Sequence, residues 1–154
     1  MINLKNYSTL ANTNGKISPW WITGYTDGDG SFLINTFKSK STTNGYSVII
    51  IFQLTAHYSE IEFLRQIQDY FGGIGAIVIS PDKTAVYFRV QKLSDILQII
   101  IPPKDFVEYP LQSTKFVYFY LFKEVAFLLD KKAHLSLGGF QHWKVLSYKA
   151  ARCA

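Results

Sequence analysis

The sequence predicts an α+β fold with the element order α-β-β-α-β-β-α and additional helices at the C-terminal end. Two pairs of segments have the alternating pattern and turn residues of β-hairpins, and a segment with helical spacing of apolar residues separates the pairs. A chain of 154 residues with 48% hydrophobic residues can bury one sizeable core. We therefore expect a single domain over residues 17–154, preceded by a flexible arm over residues 1–16 that is rich in Asn and Thr.

The first helix is the most unusual element. Ser18 followed by Pro19 favours a helix start, because the serine hydroxyl can accept a backbone N–H and proline suits the first turn. Gly24 and Gly28 share one face, and each costs about 1 kcal/mol relative to alanine in a helix interior. Close approach of a second helix would offset that cost. The residues expected at this interface are Trp21, Gly24, Tyr25 and Gly28.

Two carboxylates end this helix. Asp27 and Asp29 lie at the negative end of the helix dipole, which is unfavourable unless a cation is bound. If the glycine face met an identical helix, two copies would bring their carboxylates together near a two-fold axis, a site that suits a hard divalent metal. An ordinary turn or part of a calcium loop is the alternative, although the apolar strand that begins at Ser31 lacks the further ligands of an EF-hand.

Local signals delimit the other elements. The first hairpin is expected over residues 31–40 and 46–56. Ser59-Glu60-Ile61-Glu62 predicts a capping box, and the helix that it opens stops at Gly72-Gly73. A second hairpin, joined by Pro81-Asp82-Lys83, is expected over residues 74–80 and 84–91. Further helices are expected from 94 to 102, from 112 to 129 and from 137 to 150.

The composition indicates which partners and which kinds of site are compatible with this chain. The net charge of +5 is compatible with a polyanionic partner. The single cysteine, Cys153, excludes an internal disulfide and a cysteine-based zinc site. The most apolar segment, residues 116–129, contains Lys123 and Glu124, so it predicts a buried helix rather than a membrane span.

A family resemblance rests on the end of the first helix. Ile22-Thr23-Gly24-Tyr25-Thr26-Asp27-Gly28-Asp29-Gly30 resembles the LAGLIDADG motif of homing endonucleases, with glycine third, Asp sixth, an acid eighth and glycine ninth. The tryptophans before the motif and Ser31-Phe32 after it are typical of the family. Residues 52–55, 109–111 and 134–136 are similar to the fungal organellar branch, and the resemblance covers roughly residues 17–150.

The resemblance implies a LAGLIDADG homing endonuclease fold, in which a curved antiparallel four-stranded sheet binds DNA. The implied activity is site-specific, metal-dependent hydrolysis of double-stranded DNA at a long target site. Since the chain carries one motif, we expect a homodimer or one half of a two-motif protein. The family also implies an intron-encoded protein of an organelle, in particular the mitochondrion, and no membrane partner.

The resemblance also implies catalytic roles for residues at positions that match the family. Asp29 is expected to hold the metal, Mg²⁺ or another divalent cation such as Mn²⁺ or Ca²⁺, with help from the Gly30 carbonyl. Lys115 is expected to position the attacking water or balance phosphate charge. Gln53 is a weaker candidate for positioning water. Asp27 is expected to cap or support a helix end instead of holding the metal.

Strand alternation predicts which residues face DNA. On the first strand Phe32, Ile34 and Thr36 share one face, and the other face is the more polar. The resemblance implies that this second face enters the major groove, where Arg89 suits guanine and Gln53, Gln91 and Asn35 suit adenine. Ile49 and Ile51 could contact thymine methyls, or they could signal a one-residue slip that inverts the strand. The expected contact residues are Ser31, Leu33, Asn35, Phe37, Ser39, Ser47, Ile49, Ile51, Gln53, Thr55, Ser80, Lys83, Tyr87, Arg89 and Gln91.

Two other functions remain open at this stage. The same fold could serve as an RNA-binding maturase that assists intron splicing, with intron RNA as its partner. It could also serve as a non-catalytic DNA-binding or regulatory domain. The acid at Asp29 argues against a pure maturase but leaves a dual role open, and it argues against a non-catalytic domain, in which we would expect the acid to be replaced.

Overall fold

A four-stranded antiparallel sheet organises the structure, a computed structural model that describes residues 17–42, 45–102 and 106–132. The sheet order is β1-β2-β4-β3. The expected element order and both hairpins are confirmed, with strand ends that differ by at most two residues from the prediction. The elements are α1 (Pro19–Asp29), β1 (Gly30–Lys38), β2 (Tyr46–His57), α2 (Ile61–Tyr70), β3 (Ala76–Ile79), β4 (Ala85–Val90), the short α3 (Leu93–Asp95), which continues as a π-helical turn over Ile96–Ile100, and α4 (Lys115–Asp130).

The core lies on one face of this sheet. Alternate residues of β2 are buried, namely Ile50, Phe52, Leu54 and Ala56, and so are their neighbours Val86, Phe88 and Val90 on β4. The ring of Phe32 on β1 packs 5.4 to 5.9 Å from the rings of Phe52, Phe106, Phe119 and Phe122. Burial therefore fixes the register, and the one-residue slip of β2 that Ile49 and Ile51 left open does not occur. The opposite face, which we call the open face, carries the remaining alternate residues.

Two predicted caps are wrong. The Ser18 side chain makes no capping hydrogen bond; instead its carbonyl accepts the N–H groups of Trp21 and Ile22 at 3.0 and 3.2 Å. The predicted capping box at Ser59 is replaced by a 3₁₀ turn over Tyr58–Glu60, in which Ser59 contacts the Nδ1 atom of His57 through its backbone N–H and its hydroxyl. In both places another local group makes the hydrogen bonds near the start of the helix.

The last described helix differs from the prediction at its start and in its burial. α4 begins at Lys115 rather than at residue 112, and it is not fully buried, because Phe116, Val117, Tyr120 and Phe127 are exposed. No helix within the described ranges is long and apolar enough to cross a membrane. The predicted arm over residues 1–16 and the predicted helix over residues 137–150 lie outside the described residues.

The glycines of the motif segment have different surroundings. A Cβ atom on Gly30 would lie 2.6 Å from both the carbonyl oxygen and the Cγ2 atom of Thr26, because the chain turns directly from α1 into β1. A Cβ on Gly24 or Gly28 would meet no atom within 4 Å. Of these three motif glycines, Gly30 alone is therefore required by contacts among the described residues.

We expect Gly30→Ala to lower the free energy of unfolding by about 1–3 kcal/mol, the usual cost of forcing an extra methyl into a packed site. Gly24→Ala is the matched control, and it should leave stability unchanged or raise it by up to about 1 kcal/mol through helix propensity. Urea unfolding followed by circular dichroism at low protein concentration measures both. Equal stability of Gly30→Ala and the wild-type chain would contradict this packing.

Candidate active site and nucleic-acid interface

The two carboxylates near the end of the motif helix α1, Asp27 and Asp29, have different surroundings. Ile22, Thr23 and Thr26 bury one face of α1, and the Thr23 hydroxyl donates to the carbonyl of Tyr109 at 2.7 Å. Asp29, the last residue of α1, is exposed, and its side chain forms no hydrogen bond with another residue in the described part of the chain. Its carboxylate oxygens are therefore available to an external ligand.

Asp27 points towards the start of α4. Its carboxylate accepts the backbone N–H of Gln112 at 2.7 Å, the N–H of Ser113 at 3.2 Å and the Ser113 hydroxyl at 2.6 Å. Partial burial acts to raise the pKa of Asp27, but these hydrogen bonds outweigh it and hold the pKa below its ordinary value. Asp27 thus satisfies backbone donors that precede α4, as expected for an acid that supports a helix end.

Lys115 makes the reciprocal contact. Its Nζ donates to the carbonyl of Gly28 at 2.7 Å and to that of Thr26 at 3.3 Å, so it neutralises the C-terminal end of α1. Burial lowers the pKa of Lys115, while the charges of Asp29 and Asp27 oppose that shift. An ammonium group has three N–H donors, and two are used here. We call this set, formed by Asp27, Gln112, Ser113 and Lys115, the α1–α4 clasp.

Two of the predicted interface residues pack inside their own domain. Trp21 stacks on Tyr25 with ring centroids 5.2 Å apart, and both rings meet the edge of Phe63 on α2. The Tyr25 hydroxyl donates to the Thr55 carbonyl at 2.6 Å. Burial, followed by the charges of Asp29 and Glu60, raises the pKa of Tyr25, which keeps this donor protonated.

The exposed glycine face of α1 consists of Trp20 together with the predicted Gly24 and Gly28. Trp20, Gly24 and Gly28 follow one another at four-residue intervals and are exposed, and Trp20 keeps 54% of its surface exposed while its ring meets that of Tyr109. Trp20 was missed by the sequence analysis, although its spacing from the two glycines places it on their face. We use the name glycine face for these three residues.

The open face of the sheet holds the residues that alternation predicted to lie together. β1 residues Ser31, Leu33, Asn35 and Phe37 pair with Gln53, Ile51, Ile49 and Ser47 of β2, respectively. Across β2, Gln53 pairs with Arg89 and Thr55 pairs with Tyr87.

Five of the predicted residues lie at strand ends, in a turn or in a side-chain hydrogen bond. Ser39 and Gln91 follow the ends of β1 and β4. The Ser80 hydroxyl accepts the N–H groups of Thr84 and Ala85 within the β3–β4 turn, where Lys83 is exposed with a φ of 55°. Gln53, also predicted to position water, accepts the Nε–H of Arg89 at 2.6 Å and donates to Thr55 at 3.5 Å.

The donor set for a metal is incomplete within one chain. Among the described residues, no three or more His, Cys, Asp or Glu side chains come together at one place. Asp29 and the adjacent Gly30 carbonyl offer oxygen donors of the kind that hard divalent cations prefer. The residues therefore fit such a cation only if DNA, water or a second motif helix supplies the remaining ligands.

The chain is similar in sequence to known proteins along most of its length. Residues 22–126 match the family model described as LAGLIDADG endonuclease. The chain is 33% identical over 147 residues to "Probable intron-encoded endonuclease 3" of Neurospora crassa, across 96% of this chain and 26% of that protein. It is also 29% identical over 100 residues to an intron-encoded RNA maturase of Saccharomyces cerevisiae, across 65% of this chain and 14% of the maturase.

One solved structure is similar to this chain in both fold and sequence. I-SmaMI bound to an uncleaved DNA target in the presence of calcium ions matches with a TM-score of 0.80 at 29% identity, over 88% of this chain and 45% of that chain. The chain thus spans about a quarter of the Neurospora relative and less than half of I-SmaMI. From the family match over residues 22–126, together with the shared fold and the acid at the end of α1, this chain belongs to the LAGLIDADG endonuclease family.

Proposed function

We propose that this chain is one catalytic half of a site-specific endonuclease that hydrolyses phosphodiester bonds of double-stranded DNA. The observation that carries the proposal is the separation of roles at the end of α1. The clasp holds Asp27 and Lys115, whereas Asp29 stays exposed where α1 runs directly into β1 of the open sheet. Unlike Asp27, Asp29 gains no hydrogen bond from another described residue, so a bound cation would offset the cost of its charge at the unfavourable end of the helix dipole.

In this proposal Asp29 and the Gly30 carbonyl hold a divalent cation, Mg²⁺ or alternatively Mn²⁺ or Ca²⁺. Such a cation supplies charge stabilisation at the scissile phosphate and an activated water. The third N–H of Lys115 is not used by its two hydrogen bonds to α1, and in this proposal it balances the charge of the phosphate or orients the water. Calcium ions are present with the I-SmaMI complex, which supports a hard divalent cation as the class.

The open face is proposed to enter the major groove. A β-sheet face is a known way to read that groove, and the relative I-SmaMI is bound to DNA. The chain adds a net charge of +5, which favours a phosphate backbone as partner. Ser31, Asn35, Gln53, Thr55, Tyr87 and Arg89 supply the polar groups of this face, and Leu33, Ile49 and Ile51 supply apolar contacts for thymine methyls.

A second motif helix is proposed to pack on the glycine face. The face is exposed, and no described atom lies within 4 Å of a Cβ at Gly24 or Gly28, so the backbone of another helix can come close. That helix belongs either to a second copy, which gives a homodimer and a pseudo-palindromic target, or to the other half of a two-motif protein. In both cases two Asp29-type acids meet near one axis.

An RNA maturase is the second candidate. The similarity to an intron-encoded maturase of Saccharomyces cerevisiae favours it, and intron RNA would then be the partner. The intron-encoded relatives also support an origin in an organellar intron, with the mitochondrion as the proposed location. Metal-dependent cleavage of a defined DNA sequence, without a requirement for intron RNA, would decide for the endonuclease.

Asp29→Asn should abolish cleavage and retain DNA binding, because it removes the anionic metal ligand and keeps the size of the side chain. We expect cleavage to fall by roughly a hundredfold or more. The assay incubates purified protein and a randomised duplex library with and without Mg²⁺ and sequences the new ends. Asp69→Asn, at an exposed acid of α2, is the control and should cleave like the wild-type chain. Full cleavage by Asp29→Asn would remove Asp29 from the catalytic role.

Asp27→Asn should lower the free energy of unfolding. Because folding depresses the pKa of Asp27, its contribution is present above the unfolded pKa near 4 and is lost as pH falls through the folded pKa. We expect a loss of about 1–2 kcal/mol at pH 7, since hydrogen bonds to a partly exposed charge are weakened by solvent. Urea unfolding between pH 7 and pH 3 should show the wild-type advantage shrinking on acidification. A difference that stays constant with pH would argue against the clasp.

Gly24→Leu should prevent association through the glycine face, because a leucine side chain would hold the two helices apart. Sedimentation velocity over a range of concentrations should show wild-type dimers and monomeric Gly24→Leu. The control Gln66→Leu places the same side chain on an exposed position of α2 and should still dimerise. An unchanged dimer in Gly24→Leu would place the interface elsewhere, and a wild-type chain that never associates would exclude the homodimer.

A further inference from the structure

We propose that Arg89 and Gln53 form one reading unit for a guanine, in which Arg89 contacts the base and Gln53 holds the guanidinium. This inference rests on the proposed function, because it requires the open face to enter the major groove. It differs from the sequence-based expectation, in which Gln53 was a separate adenine reader and a positioner of water.

The two side chains meet across neighbouring strands. Gln53 on β2 lies directly opposite Arg89 on β4, and the Nε–H of Arg89 donates to the Gln53 Oε1 atom at 2.6 Å. The Arg89 Cζ atom also lies 4.9 Å from the centroid of the Tyr87 ring on the same strand. The guanidinium is therefore held by a hydrogen bond and by an aromatic ring, which reduces the entropy that it loses on binding a base.

The donors that remain on Arg89 match a guanine. A guanidinium has five N–H groups, and the contact with Gln53 uses the one on Nε. The two terminal nitrogens stay available as a fork, and guanine presents O6 and N7 as paired acceptors in the major groove. Within the described residues Arg89 forms no salt bridge with a carboxylate, so no anion of its own chain competes with the base.

The same contact removes Gln53 as a reader of adenine. Bidentate recognition of adenine needs both the carbonyl and the amino group of a glutamine at the base edge. The Gln53 carbonyl is already bound to Arg89, and its amino group faces the Thr55 hydroxyl. Because a neutral amide does not cancel the charge of Arg89, it orients the guanidinium and leaves its attraction to DNA intact.

The position of the pair in the sheet indicates which part of the target it reads. Gln53 lies opposite Ser31, which is two residues beyond Asp29 along the chain. Two residues of a strand span about 7 Å. The guanine should therefore lie in the inner part of the half-site, near the cleaved phosphate, and not at the outer end served by the tip of the β1–β2 hairpin.

Binding selection from a randomised duplex library tests the proposal. The wild-type chain, Arg89→Ala and Gln53→Ala are compared, and Asn35→Ala serves as a control at another row of the open face. Arg89→Ala should lower the preference for guanine at one position by roughly tenfold or more. Gln53→Ala should lower the preference at that same position by a smaller factor, and Asn35→Ala should leave it unchanged. Gln53→Glu would place an anion against Arg89 that competes with the base, so it should also lower the preference for guanine at that position.

The outcomes separate this proposal from the function on which it rests. If Gln53→Ala changes a different base pair from Arg89→Ala, or loses an adenine, Gln53 reads its own base and the reading unit is overturned. If Arg89→Ala changes no base preference while DNA is still bound, the assignment of Arg89 is overturned and the endonuclease proposal stands. A wild-type chain that binds no duplex overturns both. Urea unfolding of each variant shows whether a lost preference reflects a lost fold.

Discussion

The reciprocal pairing of two helix ends is the constraint on which the site depends. Every helix leaves backbone carbonyls unsatisfied at its C-terminus and N–H groups unsatisfied at its N-terminus. Here Lys115, the first residue of α4, reaches the last carbonyls of α1, and Asp27 of α1 reaches the backbone that leads into α4. Lys115 donates to the carbonyls of Thr26 and Gly28, and Asp27 accepts the N–H groups of Gln112 and Ser113. The clasp therefore fixes the direction of the motif helix and the location of Lys115 in a single arrangement.

That arrangement explains why two acids two residues apart have different surroundings. Residues separated by two positions on a helix point in different directions. Asp27 turns towards α4, where backbone and hydroxyl donors stabilise its charge. Asp29 lies at the junction with β1, exposed, with Lys115 near enough for their charges to interact. The structural acid thus supports the helix end, and the exposed acid retains its oxygens for an external ligand.

Much of this arrangement could be predicted from the sequence, because burial imposes it. Strand alternation predicted that Asn35, Gln53 and Arg89 share one face, and the burial of Phe52 and Leu54 on the opposite face imposes that arrangement. The caps at Ser18 and Ser59 could not be predicted, because a serine near a helix start has several local partners of similar energy. The surroundings of Trp21 and Tyr25 depended on α2, which is distant in sequence, and local spacing does not show such contacts.

The exposed glycine face and the acid Asp29 lie on the same helix, α1. The glycine face has no described atom near Gly24 or Gly28, and the acid at Asp29 has too few protein ligands for a metal within the described residues. Since Gly28 precedes Asp29 by one residue, a helix that packs on the glycine face also brings its own terminal acid close to Asp29. Helix packing and completion of the site are therefore coupled. In the proposed assembly, the free energy that two glycines cost the isolated helix would be offset by the same association that brings the two acids together.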